Sequence, residues 1–108
     1  MTTTYKVLGQ QAPSATTNTD LYTVPGVTST VVSTLAIANR GVSTTYRVAV
    51  RPAGAAIANQ HYIVYDATIS SGDSIFLTIG ITLATTDVVT VYAGTASLSF
   101  SLFGSELT

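Results

Sequence analysis

The sequence predicts an all-β protein, an antiparallel β-sandwich of about seven or eight strands, immunoglobulin-like or jelly-roll in topology. Three observations carry that prediction. Apolar side chains recur at every second residue along much of the chain, the period of a strand with one buried face. Short glycine-containing stretches interrupt these runs, as turns between strands do. No segment carries the apolar stripe of an amphipathic helix.

Residues 5–8 read as a first strand and residues 21–24 as a short second one. Pro25-Gly26 fits the two central positions of a type II turn, where proline presets φ and glycine supplies a positive φ. Residues 31–38 are rich in β-branched side chains without clean alternation, which marks a central strand covered on both faces. Arg40-Gly41 is the next turn. Residues 45–51 place Tyr46, Val48 and Val50 inward and Thr45, Arg47, Ala49 and Arg51 outward. Residues 52–60 form a loop with at most one helical turn, and residues 62–66 a short strand. After the turn Ser71-Gly72-Asp73, residues 74–79 alternate with Ile75, Leu77 and Ile79 on one side. Residues 88–93 form another central strand, followed by the turn Ala93-Gly94-Thr95. The run Ser97-Leu98-Ser99-Phe100-Ser101-Leu102-Phe103 puts Leu98, Phe100 and Leu102 on a buried face and the serines on the other. Tyr46 and Tyr65 are expected in the core, and Tyr22, Tyr62 and Tyr92 outward. A single sandwich domain over residues 1–108 accommodates all of this.

Composition excludes several functions. The formal net charge is −1, and Lys6, Arg40, Arg47 and Arg51 are the only cations, too few for a nucleic-acid footprint. No apolar run approaches the about 18 residues of a membrane-spanning helix, so no membrane partner is expected. The opening Met1-Thr2-Thr3-Thr4-Tyr5-Lys6 lacks the pattern of a secretory signal. Zero cysteines exclude a disulfide scaffold, thiolate metal sites and thiol catalysis. Charged residues make up 8% of the chain, against about 25% in soluble domains, while Thr and Ser together make 31 of 108. Hydroxyls cost less to desolvate than charges, so this surface suits a protein packed against other proteins.

Catalytic groups are sparse. His61, the only histidine, lies in Asn59-Gln60-His61-Tyr62, with no nucleophile elbow elsewhere to join it to Asp66 and a serine. Asp73 and Asp87 sit in turns and are expected to bond local backbone amides. No calcium-loop spacing, phosphate loop or paired metal-ligand histidines are present, so no cofactor, metal or catalytic residue is expected. Arg47 and Arg51 share one strand face, either as an anchor for an acidic partner or paired with carboxylates on neighbouring strands. Tyr62 near Asn59 and Gln60 is the composition of a sugar site. Ile57, in a loop without charge after Arg51, is expected to plug the sandwich end; the other reading makes it a docking residue. The candidate partner interface is therefore Arg47, Arg51, Ile57, Asn59, Gln60 and Tyr62.

Three strings carry a family resemblance: Leu21-Tyr22-Thr23-Val24-Pro25-Gly26, Val31-Val32-Ser33-Thr34-Leu35-Ala36-Ile37-Ala38-Asn39-Arg40, and Tyr46-Arg47-Val48-Ala49-Val50-Arg51-Pro52-Ala53-Gly54. Together with the opening Tyr5-Lys6-Val7-Leu8-Gly9-Gln10 and the closing Phe103-Gly104-Ser105-Glu106-Leu107, the chain resembles small virion structural proteins of tailed bacteriophages, notably cyanophages. The resemblance implies a β-sandwich building block without catalytic residues, made in the host bacterial cytoplasm and located in the virion. The function expected is that of a capsid decoration (cement) protein on the head, with the major capsid protein as partner, in a homo-oligomer. The alternatives are a tail, neck, baseplate or fibre module and a carbohydrate-binding host-attachment module. A small hydrolase fits least.

Overall fold

The computed structural model describes residues 2–108. In these residues β1 (Thr3–Gln11), β2 (Thr19–Thr23), β3 (Ser29–Asn39), β4 (Thr44–Arg51), β5 (Tyr62–Ile69), β6 (Ser74–Leu77), β7 (Ile81–Leu83), β8 (Val88–Ala93) and β9 (Leu98–Leu107) form two antiparallel sheets. The first has the order β1-β9-β3-β6, with β7 also pairing β3; the second has the order β2-β8-β4-β5. The pairs are nested. β4 pairs β5, β3 pairs β6 and β7, β2 pairs β8, and β1 pairs β9. The chain is thus one long paired ribbon rolled over until β9 also meets β3 and β8 also meets β4. Periodicity left two topologies open, and this nesting is the jelly-roll one.

The core lies between the sheets, and alternation sets its members. Leu98, Phe100 and Leu102 of β9 are all but fully buried, as are Val32, Leu35 and Ile37 of β3. Tyr46 and Val48 of β4 and Val89 and Val91 of β8 complete it from the other sheet. Each such side chain contributes about 1.5–3 kcal/mol through burial. Leu98, Phe100 and Leu102 are registered opposite Asn39, Ile37 and Leu35, so central strands supply much of the first sheet's inner face. β1 reaches the sandwich closely because residue 9 is glycine; a Cβ there would lie 2.1 Å from the Leu21 carbonyl oxygen.

Several expectations need correction. The turn after β2 is not a type II turn on Pro25-Gly26, because Gly26 does not have a positive φ. Val27 carries it, at 56°. The strand expected over residues 74–79 ends at Leu77, and after Gly80, at φ 55°, β7 resumes pairing with β3. Tyr22 is buried and Tyr65 exposed, the reverse of the expected arrangement. Both reversals come from β-bulges, which insert a residue and reset the alternation. In β2 the register shifts between Asp20 and Tyr22, so Leu21 and Tyr22 are both buried. In β5, Tyr46 faces Ala67 and Val48 faces Val64, which leaves both Tyr65 and Asp66 opposite Arg47. Ile57 is not a core plug; it is half-buried and stands outside the core cluster and the side chains packed on it.

One polar residue organises the end of the sandwich where three connections meet. Asn39, 4% exposed, donates from Nδ2 to the carbonyls of Val42, Ile69 and Ser70, and its Oδ1 accepts from the Gly41 N–H and the Ser97 hydroxyl. Its amide therefore ties together the β3–β4, β5–β6 and β8–β9 connections.

Candidate binding surface

The outer face of the second sheet carries a connected set of polar and aromatic groups. Arg47 and Arg51 project from β4 on the same side, as their spacing predicts. Both are paired within the chain. Arg47 donates from Nε to Asp66 Oδ1 at 2.6 Å and from a terminal nitrogen to Oδ2 at 3.3 Å, a two-pronged ion pair. This pairing holds the Asp66 carboxyl below its ordinary range. Arg51 donates to Asp20 at 2.8 Å, to the Thr90 hydroxyl at 2.9 Å, and to the carbonyls of Gly54 and Ala55. Of the two readings of this arginine pair, the structure has carboxylates of the same sheet as their ionic partners, Asp66 on the adjacent β5 and Asp20 on β2, beyond β8.

Around Arg47 the rings form a stack. Its guanidinium carbon lies 4.3 Å from the ring centroid of Tyr65 and 4.3 Å from that of Tyr92. The planar cation is attracted to the electron-rich ring faces, an interaction that an ammonium would make without the matching plane. Tyr62 then meets Tyr65 edge-on, with centroids 4.9 Å apart and planes at 82°. The β5 bulge makes this possible. It turns Tyr65 and Asp66 to the same outer side, and Asp66 takes the left-handed φ of 51° that aspartate tolerates better than most residues.

A shallow pocket of about 480 Å³ opens beside this stack, lined by Asn59, Tyr62 and Tyr65. The loop before β5 presents it. A 3-10 turn over Asn59–His61 is closed by the His61 N–H donating to the Ala58 carbonyl, while the Ala58 N–H donates to His61 Nδ1. His61 is thereby engaged in local loop structure. The earlier half of the loop is held by Asp87, whose two oxygens accept from the Ala53 and Ala84 amides. Asp73 accepts from the Ser74 amide. Among the described residues, no three His, Asp or Glu side chains converge as a metal site would require.

The structure brings together Arg47, Asn59 and Tyr62 of the expected interface, through Tyr65. Gln60 is exposed in the same turn, and Arg51 lies further along the face toward Asp20. The expected interface did not include Tyr65 or Asp66, and Tyr92, expected outward, was not placed in it. An aspartate within a strand-like run was the available signal of a bulge.

A second polar cluster closes the opposite part of the sandwich. Tyr22 donates to Glu106 at 2.5 Å, which leaves the Thr30 hydroxyl to donate to Tyr22 Oη at 2.7 Å. Lys6 adds a 3.2 Å ion pair to the same carboxylate. Burial and the anionic neighbour push the Tyr22 phenol up to about 12, and the Tyr22 hydrogen bond holds the Glu106 carboxyl below its ordinary value.

No family model matches this chain, and neither the curated proteins nor the solved structures compared with it gave a match.

Proposed function

We propose that this protein is a non-enzymatic structural component of a tailed-phage virion, a decoration protein that stabilises the capsid head through contacts with the major capsid protein and with further copies of itself. The observation that carries the reading is the free edge of β1. Among the described residues this strand hydrogen-bonds to β9 on one side and to no strand on the other. Isolated domains guard such edges with charges, prolines, bulges or short strands, because unpaired backbone groups recruit another strand. The other edges follow that rule. β2 has five residues and a bulge, β5 is bulged twice, and β6 and β7 are separated by a break.

β1 is different over residues 3–7, which pair with β9 in regular register. Lys6, the only lysine, is drawn to Glu106. Tyr5, Val7 and Val31 are 84%, 47% and 40% exposed, and with Phe103 they line an apolar groove of about 470 Å³ that runs from β1 across β9 to β3 on the outer face of the sheet. An edge of this kind next to an apolar groove suits continuation by a neighbouring chain. The low charge, the hydroxyl-rich surface and the resemblance of the strand strings to phage structural proteins support the same reading.

Quantitative mass spectrometry of purified particles tests it. A decoration protein is present in copies comparable with those of the major capsid protein. A copy number far below that replaces the head assignment with a tail, neck or baseplate module, and absence from the particle overturns the proposal.

A further inference from the structure

The corner formed by Asn59, Tyr62 and Tyr65 has the chemistry of a saccharide site, and we infer that it binds an uncharged pyranose. The inference does not depend on where in a particle the protein sits. The pocket's volume, about 480 Å³, falls in the range of small-ligand sites, roughly 300–1,000 Å³. Its two aromatic walls stand at 82° to each other. A pyranose has one face of C–H groups, which packs on an aromatic ring, and a rim of hydroxyls, which needs donors and acceptors. Tyr65 is 58% exposed and provides aromatic surface. The carboxamide of Asn59 and the hydroxyls of Tyr62 and Tyr65 make no hydrogen bond to other described residues, so they are free to meet a ligand's hydroxyls, and Gln60 is exposed in the same turn.

The walls are held before any ligand arrives. Tyr65 packs on the Arg47 guanidinium, which Asp66 grips at two points and Tyr92 backs from β8. Ordering is therefore largely complete in the free protein, which lowers the entropic cost of binding. Charge selects the ligand class. Arg47, the cation against this corner, is already neutralised by Asp66, so a phosphorylated or carboxylated ligand finds no free positive partner. An extended proline-rich peptide also stacks on tyrosines, but it needs a groove spanning several residues, whereas this pocket is lined by three.

The test titrates the full chain, by chemical-shift mapping, with methyl pyranosides of glucose, galactose, mannose and N-acetylglucosamine, and with a proline-rich peptide as the competing class. The expected result is saturable binding of at least one pyranoside, with shifts centred on residues 59–65. Tyr65→Ala should weaken it about tenfold or more through lost stacking. Asn59→Ala, at an exposed position, should weaken it severalfold while leaving the fold's spectrum intact, which keeps the test informative if the Tyr65 variant loses structure. Absence of binding by every pyranoside overturns the inference. So does binding that Asn59→Ala and a folded Tyr65→Ala leave unchanged, or binding of the peptide alone.

Discussion

Tyr22 and Glu106, 84 positions apart in sequence, meet through a 2.5 Å hydrogen bond from phenol to carboxylate. β2 and β9 belong to different sheets, so this bond joins the two layers at one end of the sandwich. It also makes stability depend on pH. The folded state holds the Glu106 carboxyl below its ordinary value of 4.5, so near and below that value the unfolded chain binds more protons. The resulting stabilisation is complete above about pH 4.5 and is lost as pH falls through the folded-state value. Tyr22→Phe should cost about 1–3 kcal/mol at neutral pH, because it leaves a largely buried carboxylate short of a donor. The same change should flatten the acid limb. Urea midpoints measured between about pH 3 and 7 check both effects.

Val27 is 91% exposed and holds a left-handed φ of 56°, a conformation in which a β-branched side chain is strained. Val27→Gly should raise stability by about 1 kcal/mol. Gly26 beside it has no such φ, and a Cβ there would meet nothing within 4 Å. Gly26→Ala should therefore be neutral or stabilising by about 0.4–1 kcal/mol. A type II turn on Pro25-Gly26 requires the opposite outcome at residue 26, a loss of stability. Chemical denaturation of the two variants separates these geometries.

At Arg47 a lysine keeps the charge but neither the plane nor the fork. Arg47→Lys should lower the melting temperature by roughly a few degrees through weakened stacking on Tyr65 and Tyr92. Arg47→Ala should lower it further, since Asp66 then loses its partner. Asp66→Asn should keep the bulge, because asparagine tolerates a positive φ, whereas Asp66→Val should disturb it. Calorimetry ranks the four variants, and equal melting temperatures for Arg47→Lys and wild type would contradict the stack.

Asn39→Asp tests the hub at the crowded sandwich end. The substitution conserves size but replaces the amide nitrogen with a carboxylate oxygen facing the carbonyls of Val42, Ile69 and Ser70. It should cost about 3 kcal/mol, far beyond a surface change. Urea unfolding near neutral pH gives the value, and a loss under about 0.5 kcal/mol would show that the amide is not engaged as described.

The parts of the fold that obey period two were legible. Leu98, Phe100 and Leu102 turn inward as their spacing requires, and Arg47 and Arg51 share an outward face. The two misplaced tyrosines lie where an inserted residue breaks the period. Tyr22 and Tyr65 each lie beside a bulge, and no alternation rule places a side chain across one. Topology was beyond reach, because local periodicity carries no information about which strands pair at long range. Asn39 was visible only as the end of a strand; its role depends on three connections folding to the same place. Of the binding corner, Asn59 and Tyr62 were legible as neighbours, and Tyr65 was hidden by the bulge that exposes it.

The central claim is that β1 is completed by a neighbouring chain in an assembled particle. An electron cryomicroscopy reconstruction of purified phage particles carrying this protein tests it most directly. The predicted result is density in which a strand from an adjacent subunit continues the first sheet beyond residues 3–7 of β1 and packs beside Tyr5 and Val7. Well-ordered density for the jelly roll with that edge open to solvent in every copy would contradict it.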